Sequence, residues 1–324
     1  MKTILVSGAS GIVGYGKLKS LRNYDPEIKL IGTSIYDDSV APAFCDSFEK
    51  APITGDNHYI DWLCEIIRKH SVDMIIPGIE IDMFKWNKER EKIVEAGALP
   101  LLNNPALIDL CEDKWLFYST LKETDSRLAI ESSLEGDFNS LQERFGLPFL
   151  LKPRKGFASK GIVIVDSEEV FLKSSDSLGS LLMAQPIVGS AEEEYTVSAF
   201  LDQDSNLLCF MGLRRKLAKE GFTEKAEVFD VPGAKEAIEE LSKLFKPVGP
   251  TNFQFRMHGG RLKLLEINPR ISSATSIRTA FGYNESMMSV EYFLENNLPK
   301  QPVVKRGYAV RYTEEHVFYD SNTV

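Results

Sequence analysis

The feature that most constrains the fold is a pair of short apolar–polar runs, Thr251–Met257 and Leu262–Arg270, separated by His258-Gly259-Gly260. Two such runs around consecutive glycines predict an antiparallel hairpin, because glycine accepts the positive φ angles of a tight turn. Side chains alternate between the two faces of a strand, so Glu266 and Asn268 point the same way.

The length of the turn decides whether a third polar side chain joins this face. With the three-residue turn that we expect, Met257 pairs with Arg261, and Gln254 lies on the polar face. A two-residue turn would pair Gln254 with Leu265 and place it on the other face, unless a bulge compensates. The opposite face should then hold apolar side chains that support the strands, namely Phe253, Phe255, Leu265 and Ile267.

The three polar side chains are candidate metal ligands. Carboxylate and amide oxygens suit Mg²⁺, which keeps several waters and takes further ligands from substrate phosphates. The predicted set is Gln254, Glu266 and Asn268, and Arg270 follows where the strand meets a loop, placed to hold a phosphate in bidentate fashion. The alternative is an ordinary hairpin whose polar residues are solvated.

Composition bounds the class of protein. The chain has 324 residues, 26% charged and 43% hydrophobic, with a formal net charge of −9. That charge argues against nucleic acid or an anionic membrane as a partner, although a local basic pocket for phosphates remains compatible with it. Four scattered cysteines, without metal-binding spacing, indicate a reducing compartment and hence a cytoplasmic location. The opening MKTILVSGAS lacks a long apolar run, so we expect neither a signal peptide nor a membrane span.

The first hundred residues alternate between strands and helices, which predicts an open, mostly parallel sheet ending near Asn103-Asn104-Pro105. The predicted strands are Thr3–Val6, Lys29–Ser34 and Val72–Pro77, and the predicted helices are a segment ending near Arg22, Tyr59–His70 and Ile81–Ala96. Further along, we predict strands at Leu147–Lys152, Ile162–Val165, Leu181–Gln185, Glu194–Leu201, Leu207–Leu213 and Gly307–Tyr312, and helices at Ile108–Leu121, Pro232–Lys246 and Asn284–Leu298.

The glycines of Gly8-Ala9-Ser10-Gly11-Ile12-Val13-Gly14 raise the alternative of a dinucleotide-binding sheet. A lone glycine pattern is a weak signal. The second strand ends in Ser34-Ile35-Tyr36 where a ribose-binding acid is expected, and Asp37 comes late. Tyr118 and Lys122 have the spacing of a dehydrogenase pair, but lie well past the third strand of the sheet.

A loop rich in lysine, glycine and serine, 152–161, lies between two predicted strands. Backbone N–H groups of such a loop can close over phosphate oxygens. It is not a P-loop, because GxxxxGK[ST] is absent. The alternative is a mobile surface loop.

Taken together, these elements occur in a specific order along nearly the whole chain. They are Asp113-Lys114, Lys152-Pro153 with its loop, Gln185-Pro186-Ile187, Glu194-Tyr195-Thr196-Val197, Gln254 and Glu266-x-Asn268-Pro269-Arg270. This order resembles the ATP-grasp superfamily, and within it half of a carbamoyl-phosphate synthase large subunit.

The resemblance implies an α/β fold, α+β in its C-terminal part. An N-terminal open parallel sheet domain (1–106) would precede a two-lobed ATP-grasp fold. Its lobes would be a small lid subdomain (107–187) and a C-terminal subdomain carrying the metal site (188–324).

The resemblance also assigns roles to residues. Arg270 and Lys152 would be catalytic, the loop 155–161 would cover the triphosphate, Gln185 and Ile187 would contact adenine, and Glu194 would take the ribose hydroxyls. The family usually has Glu where Gln185 stands. The implied ATP-binding set is Lys114, Lys152, Lys155, Ser159, Gly161, Gln185, Ile187 and Glu194.

The implied function is an ATP- and Mg²⁺-dependent ligase that converts a carboxylate to an acyl-phosphate for attack by an amine or similar nucleophile. Its partners would be these small molecules, and the resemblance also allows a homodimer. The alternatives are an NAD(P)-dependent oxidoreductase and a non-catalytic ATP-binding protein. Weaker phosphate or substrate candidates are Arg214 and Lys225, and specificity would come from Glu80-Ile81-Asp82, Ser272-Ser273-Ala274 and Lys219–Glu227.

Overall fold

The computed structural model describes residues 1–156 and 161–319. Its N-terminal part is a parallel sheet with strand order β3-β2-β1-β4-β5 and helices between the strands. The strands are β1 (Thr3–Val6), β2 (Lys29–Ser34), β3 (Ser47–Lys50), β4 (Met74–Ile76) and β5 (Leu99–Pro100), and the helices are α1 (Ile12–Arg22), α2 (Tyr59–His70), α3 (Glu80–Lys88), α4 (Arg90–Glu95) and α5 (Pro105–Cys111).

This arrangement confirms the predicted open parallel sheet and corrects three of its details. The edge strand β3 was not predicted, because its sequence SFEK carries little apolar signal. The helix predicted over Ile81–Ala96 is divided into α3 and α4, since the backbone of Glu89 leaves the helical region. The strand predicted over Val72–Pro77 is limited to β4.

Glycines near the first turn allow neighbouring backbone segments to approach closely. A Cβ on Gly14 would lie 2.3 Å from the Gly8 carbonyl oxygen, and one on Gly78 would lie 1.8 Å from the Ser7 carbonyl oxygen. The turn after β1 therefore packs directly against α1 and the end of β4. This packing accounts for the glycine spacing without a dinucleotide.

The middle of the chain forms an antiparallel sheet with order β7-β6-β8. Its core gathers around the buried ring of Phe149. The helix α7 was not predicted; Asp137 caps it by accepting a hydrogen bond from the Ser140 N–H at 2.8 Å. The elements are α6 (Lys114–Lys122), α7 (Phe138–Phe145), β6 (Phe149–Pro153), β7 (Val163–Val165), α8 (Glu168–Leu172) and β8 (Leu182–Pro186).

The remaining residues build an antiparallel sheet with order β13-β12-β9-β10-β11-β14. The strand β10 is longer than predicted, and β11 was not predicted, because its sequence TEKAEV is mostly polar. The elements are β9 (Glu194–Leu201), β10 (Leu207–Leu217), β11 (Thr223–Val228), α9 (Ala234–Phe245), β12 (Gly249–His258), β13 (Arg261–Asn268), α10 (Thr275–Ala280), α11 (Glu285–Glu295) and β14 (Tyr308–Val310).

The C-terminal sheet is covered on both faces. One face packs on α9 through a core that includes Val197, Phe253 and Phe255. The other face packs partly on α10 and α11. Met287 and Val290 of α11 also belong to the core of the N-terminal sheet, so these helices hold the two sheets together. Within residues 1–156 and 161–319, no helix is long and apolar enough to cross a membrane.

Candidate functional site

The hairpin of β12 and β13 turns through two residues, Gly259 and Gly260, both with positive φ (56° and 73°). His258 therefore pairs with Arg261, so the hairpin takes the two-residue alternative with a compensating bulge rather than the three-residue turn. The register shifts by one residue between Gln254 and Phe255, so a bulge restores the parity that the shorter turn removes.

Because of this bulge, Gln254 pairs directly with Glu266. The two side chains share a face, as the sequence predicts. The supporting apolar face differs in one position, since Phe255 pairs with Leu264 and Leu265 is left unpaired. Leu264 is buried in the α9-facing core where Leu265 was expected. A single inserted residue thus selects which leucine supports the strands.

Polar side chains at the end of the hairpin form a chain of hydrogen bonds. Asn268 donates from Nδ2 to Glu266 Oε1 at 2.9 Å, and Arg270 donates from Nη2 to Asn268 Oδ1 at 3.2 Å. Arg270 also forms an ion pair with Glu80, at the start of α3 in the N-terminal part. The Arg270 guanidinium thus links the end of the hairpin to the N-terminal part of the chain.

The donor set fits Mg²⁺ in chemistry. Gln254, Glu266 and Asn268 offer oxygen atoms, the kind of ligand that this ion prefers. Among the residues that the structure describes, no cluster of three or more His, Cys, Asp or Glu side chains could hold a metal. A site with one carboxylate suits an ion that takes most of its remaining ligands from water and phosphates.

Two lysines, Lys114 on α6 and Lys152 on β6, act electrostatically on Glu266. Burial raises the pKa of the Glu266 carboxyl, but the Asn268 hydrogen bond and the charges of Lys114, Lys152 and Arg215 outweigh it and hold that pKa below its usual value. Glu266 is therefore ionised at neutral pH, with cations around it.

Lys152, on β6, is partly enclosed. Burial is the main cause that lowers the pKa of its ammonium to about 8. Its Nζ lies 3.4 Å from Gln185 Oε1, and Lys114 donates from Nζ to the Gly156 carbonyl oxygen at 2.6 Å. The Lys114 ammonium is thus held at the start of the loop that follows β6, and the Lys152 ammonium lies beside β8.

The predicted adenine side lies at the end of β8. Gln185 is buried and donates from Nε2 to Ser132 Oγ at 2.9 Å, while Ile187 is half-buried. Lys155 is exposed and pairs loosely with Glu112, at 3.4 Å. Gly161 is exposed, with φ of 77°. Ser159, and with it the centre of the predicted 155–161 cover, lies outside the described residues.

Glu194 does not present a free carboxylate. Its Oε1 accepts from Arg215 at 2.9 and 3.1 Å, and its Oε2 accepts from Arg256 at 2.9 and 3.0 Å. Arg215 also donates to Gln254 Oε1. Both oxygens of the predicted ribose ligand are therefore engaged by guanidinium groups, and the network leads to the hairpin.

Arg215 was missed from the sequence, which singled out its neighbour Arg214. Alternate residues of β10 are buried, namely Cys209, Met211, Leu213 and Arg215. This alternation was the signal that could have identified Arg215 as the inward-facing residue. Arg214 points the other way and forms an exposed ion pair with Glu227 at 2.6 Å. Lys225 lies in β11, opposite Lys216 and Val310 in the strand pairing.

A second missed group lies beneath the hairpin. Arg278, on α10, is fully buried and donates to Asn252 Oδ1 at 2.6 Å and Glu285 Oε1 at 2.9 Å. Asn252 pairs with Asn268 in the strand register. The network links the polar end of the hairpin to α10 and α11, with Ser272 from the predicted specificity loop also bound to Arg278 at 2.9 Å.

The residues of the dehydrogenase alternative are engaged elsewhere. Tyr118 is buried, and Lys122 lies over its ring at 5.9 Å from the centroid. Asp37 forms an ion pair with Lys50, and Ser34 at the end of β2 lies 2.7 Å from Ser10, oxygen to oxygen. These contacts give the residues of the dehydrogenase alternative structural roles that do not involve a dinucleotide.

Comparisons with known proteins relate this chain to a family and to several curated relatives. Residues 182–316 match the family described as ATP-grasp in the biosynthetic pathway with Ter operon. The carbamoyl phosphate synthase large chain of Methanosarcina mazei is 22% identical over 288 residues, 82% of this chain and 26% of the relative. That of Methanosarcina barkeri is 25% identical over 264 residues, 72% of this chain and 24% of the relative. The chain thus spans about a quarter of the length of these curated relatives.

Solved structures extend the likeness to the whole fold. N5-carboxyaminoimidazole synthetase from Staphylococcus aureus, complexed with ADP, superposes with a TM-score of 0.74 at 18% identity, covering 94% of this chain and 80% of that one. Biotin carboxylase from Campylobacter jejuni gives 0.71 at 14% identity, covering 95% and 74%. The chain therefore carries an ATP-grasp domain within an ATP-grasp fold, and the large chains of carbamoyl phosphate synthase are among its homologues.

Proposed function

We propose that this protein is a ligase that uses ATP and Mg²⁺ to convert a substrate carboxylate to an acyl-phosphate, which an amine or similar nucleophile then attacks. The observation that carries the proposal is the convergence of Glu266, Asn268 and Arg270 with Lys114 and Lys152. One carboxylate surrounded by cations is suited to phosphoryl transfer, which depends on positioning and neutralised charge.

In this proposal, three parts of the chain bind the acceptor, the nucleotide and the metal ion. Residues 1–106 would shape the acceptor side through Glu80, 107–187 would cover the nucleotide, and 188–324 would carry the hairpin. Gln254, Glu266 and Asn268 would hold Mg²⁺, which supplies charge neutralisation to the phosphates. Arg270 would orient the transferred phosphoryl group, and Lys152 and Lys114 would bind phosphate oxygens.

The reaction needs no nucleophile from the protein. A carboxylate oxygen of the substrate attacks the γ-phosphorus, and the bond to the leaving ADP oxygen breaks. The amine then attacks the acyl carbon, the C–O bond to phosphate breaks, and the amine loses a proton. The products are ADP, inorganic phosphate and an amide.

Hydroxylamine provides a test that needs no knowledge of the natural amine. The protein is incubated with ATP, Mg²⁺, hydroxylamine and a panel of acids comprising amino acids, sugar acids and bicarbonate. We expect ADP release, with hydroxamate formed from one class of organic acid. If bicarbonate is the acceptor, phosphate release should depend on bicarbonate, and no organic acid should give a hydroxamate.

Nucleotide binding provides the matching control. Mg²⁺-ATP should raise the melting temperature by mass action, while NADH and NADPH should leave it unchanged. Stabilisation by a nicotinamide nucleotide, without stabilisation by ATP, would contradict the proposal. ATP binding without turnover on any acid would favour a non-catalytic nucleotide-binding protein.

A further inference from the structure

The ion network at the start of β9 is the part of the site that the assigned roles explain least. Glu194 and Arg215 are both almost fully enclosed, with side-chain exposures of 6% and 5%. Within residues 1–156 and 161–319, every hydrogen bond that the Glu194 carboxylate accepts comes from a guanidinium, two from Arg215 and two from Arg256. A ribose hydroxyl would have to compete with these charge-assisted bonds, which are stronger than neutral ones.

The same network fixes the guanidinium of Arg215 in one orientation. Nε and Nη2 donate to Glu194, and Nη2 also donates to Gln254. No described residue accepts from the remaining nitrogen, Nη1.

The balance of charge around Glu266 supports an anionic ligand. Cations that lower its pKa are Lys114, Lys152 and Arg215, and Arg256 adds a fourth through Glu194. Among the described residues, Glu194 and Glu266 oppose these cations, and the exposed Glu192 also interacts with Arg256, so four cations face three carboxylates. In a chain of net charge −9, a local positive excess indicates a bound anion.

We propose that Arg215 contacts the nucleotide phosphates and that Glu194 is its positioning residue, not a ligand of the ribose. This inference rests on the proposed function, because it assumes that the nucleotide lies beside the hairpin. Arg215 would be a third phosphate-binding cation, attached to Gln254 and hence to the proposed metal site.

Binding measurements with nucleotide analogues test both roles without knowledge of the acid. The affinities of ATP, 2′-deoxy-ATP, 3′-deoxy-ATP and adenosine are measured by calorimetry for the wild type, Glu194→Gln and Arg215→Gln. We expect Arg215→Gln to weaken ATP binding about tenfold or more and to leave adenosine binding unchanged.

Glu194→Gln should weaken ATP and both deoxy analogues by the same factor, because the ribose is not its partner. The double variant should bind ATP no more weakly than Arg215→Gln alone, since the residues act as a unit. Arg215→Lys, which keeps the charge but loses the fork, should fall between wild type and Arg215→Gln, and it replaces Arg215→Gln if that variant does not fold.

Arg214→Gln is the matched control, because it removes the same group from the exposed face of the same strand. Its ATP affinity should equal that of the wild type. Wild-type affinity in Arg215→Gln, or in its replacement Arg215→Lys, overturns the inference. So does a Glu194→Gln variant that no longer distinguishes ATP from the deoxy analogues. A wild-type protein that binds no ATP overturns the proposed function itself, which separates the two failures.

Discussion

The two faces of the C-terminal sheet come from alternate residues of the same strands. One is a packed core, and the other combines an apolar part under α10 and α11 with a cluster of charged side chains. Phe253 and Phe255 of β12 point into the α9-facing core, while Gln254 between them points at Glu266 and Arg215. Apolar area on the first face supports the fold, and the charges on the second are those that we propose bind the nucleotide. The strand β12 would thus combine a stabilising role with a functional one.

Strand register decides which side chains lie on which face, and a small change in register is enough to alter this. A one-residue slip would exchange the faces. The bulge at Leu265 prevents this in β13, where a two-residue turn alone would have turned Glu266 away from Gln254. Variants on the two faces, together with Lys152 of the middle sheet, should therefore separate stability from binding, and they are taken in order of expected effect.

Phe253→Ala should give the largest change, on the core face. Phe253 is fully buried, so its truncation should lower the free energy of unfolding by about 3–5 kcal/mol. Urea denaturation measures this, with Leu181→Ala as control, since Leu181 is 69% exposed. A loss below about 1 kcal/mol would contradict the assignment of this face as the core.

Glu266→Gln should act on the polar face. The isosteric change keeps the packing but removes the carboxylate of the proposed metal site, so Mg²⁺-dependent ATP affinity should fall about a hundredfold. Calorimetry at several Mg²⁺ concentrations measures the change. Glu227→Gln, at an exposed ion pair, is the control and should bind normally. Unchanged Mg²⁺ dependence in Glu266→Gln would remove the hairpin from the mechanism.

Lys152, on β6 of the middle sheet, predicts a pH dependence of ATP binding. Because its pKa is about 8, the ammonium loses its proton above that pH, and ATP affinity should fall by up to about tenfold per pH unit. Lys152→Arg, which stays charged, should flatten the profile between about pH 8 and 10. Parallel profiles for the two proteins would assign the titration to another group.

The same lowered pKa has a consequence for the nucleotide-free protein. Between about 8 and the usual lysine value of about 10.4, the unfolded chain binds more protons at this position than the folded one. The contribution of Lys152 to stability therefore rises with pH through this window and is least favourable below it. Urea unfolding at a series of pH values measures the slope, with Lys152→Arg as reference.

Arg214→Ala should give the smallest change. Its ion pair with Glu227 is exposed on both sides, so the free energy of unfolding should fall by no more than about 1 kcal/mol, and less in high salt. Thermal unfolding at low and high salt measures this. A loss comparable to that of Phe253→Ala would show that the outward face of β10 carries more stability than its exposure indicates.

Much of the fold could be predicted because strongly patterned segments carry their own signal. The parallel strands β1, β2 and β4 are apolar runs between helices, and the hairpin is signalled by paired glycines. The strands β3 and β11 could not be predicted, since their stability comes from pairing with neighbours rather than from their mostly polar sequences. Arg214 rather than Arg215 was singled out from the sequence for a related reason, because the choice between consecutive arginines depends on strand parity.

By itself, the sequence determined that Gln254, Glu266, Asn268 and Arg270 occur in hairpin spacing, and that lysines precede a glycine-rich loop in the middle of the chain. Local chemistry suffices for this, because strand period and turn propensity depend on near neighbours. Only the tertiary structure decided that Leu264 rather than Leu265 supports the hairpin, that Arg270 pairs with Glu80 from the N-terminal sheet, and that Glu194 is enclosed by two guanidinium groups. These outcomes depend on register and on contacts between residues far apart in the chain, where burial makes an unpaired charge costly and so selects its partner.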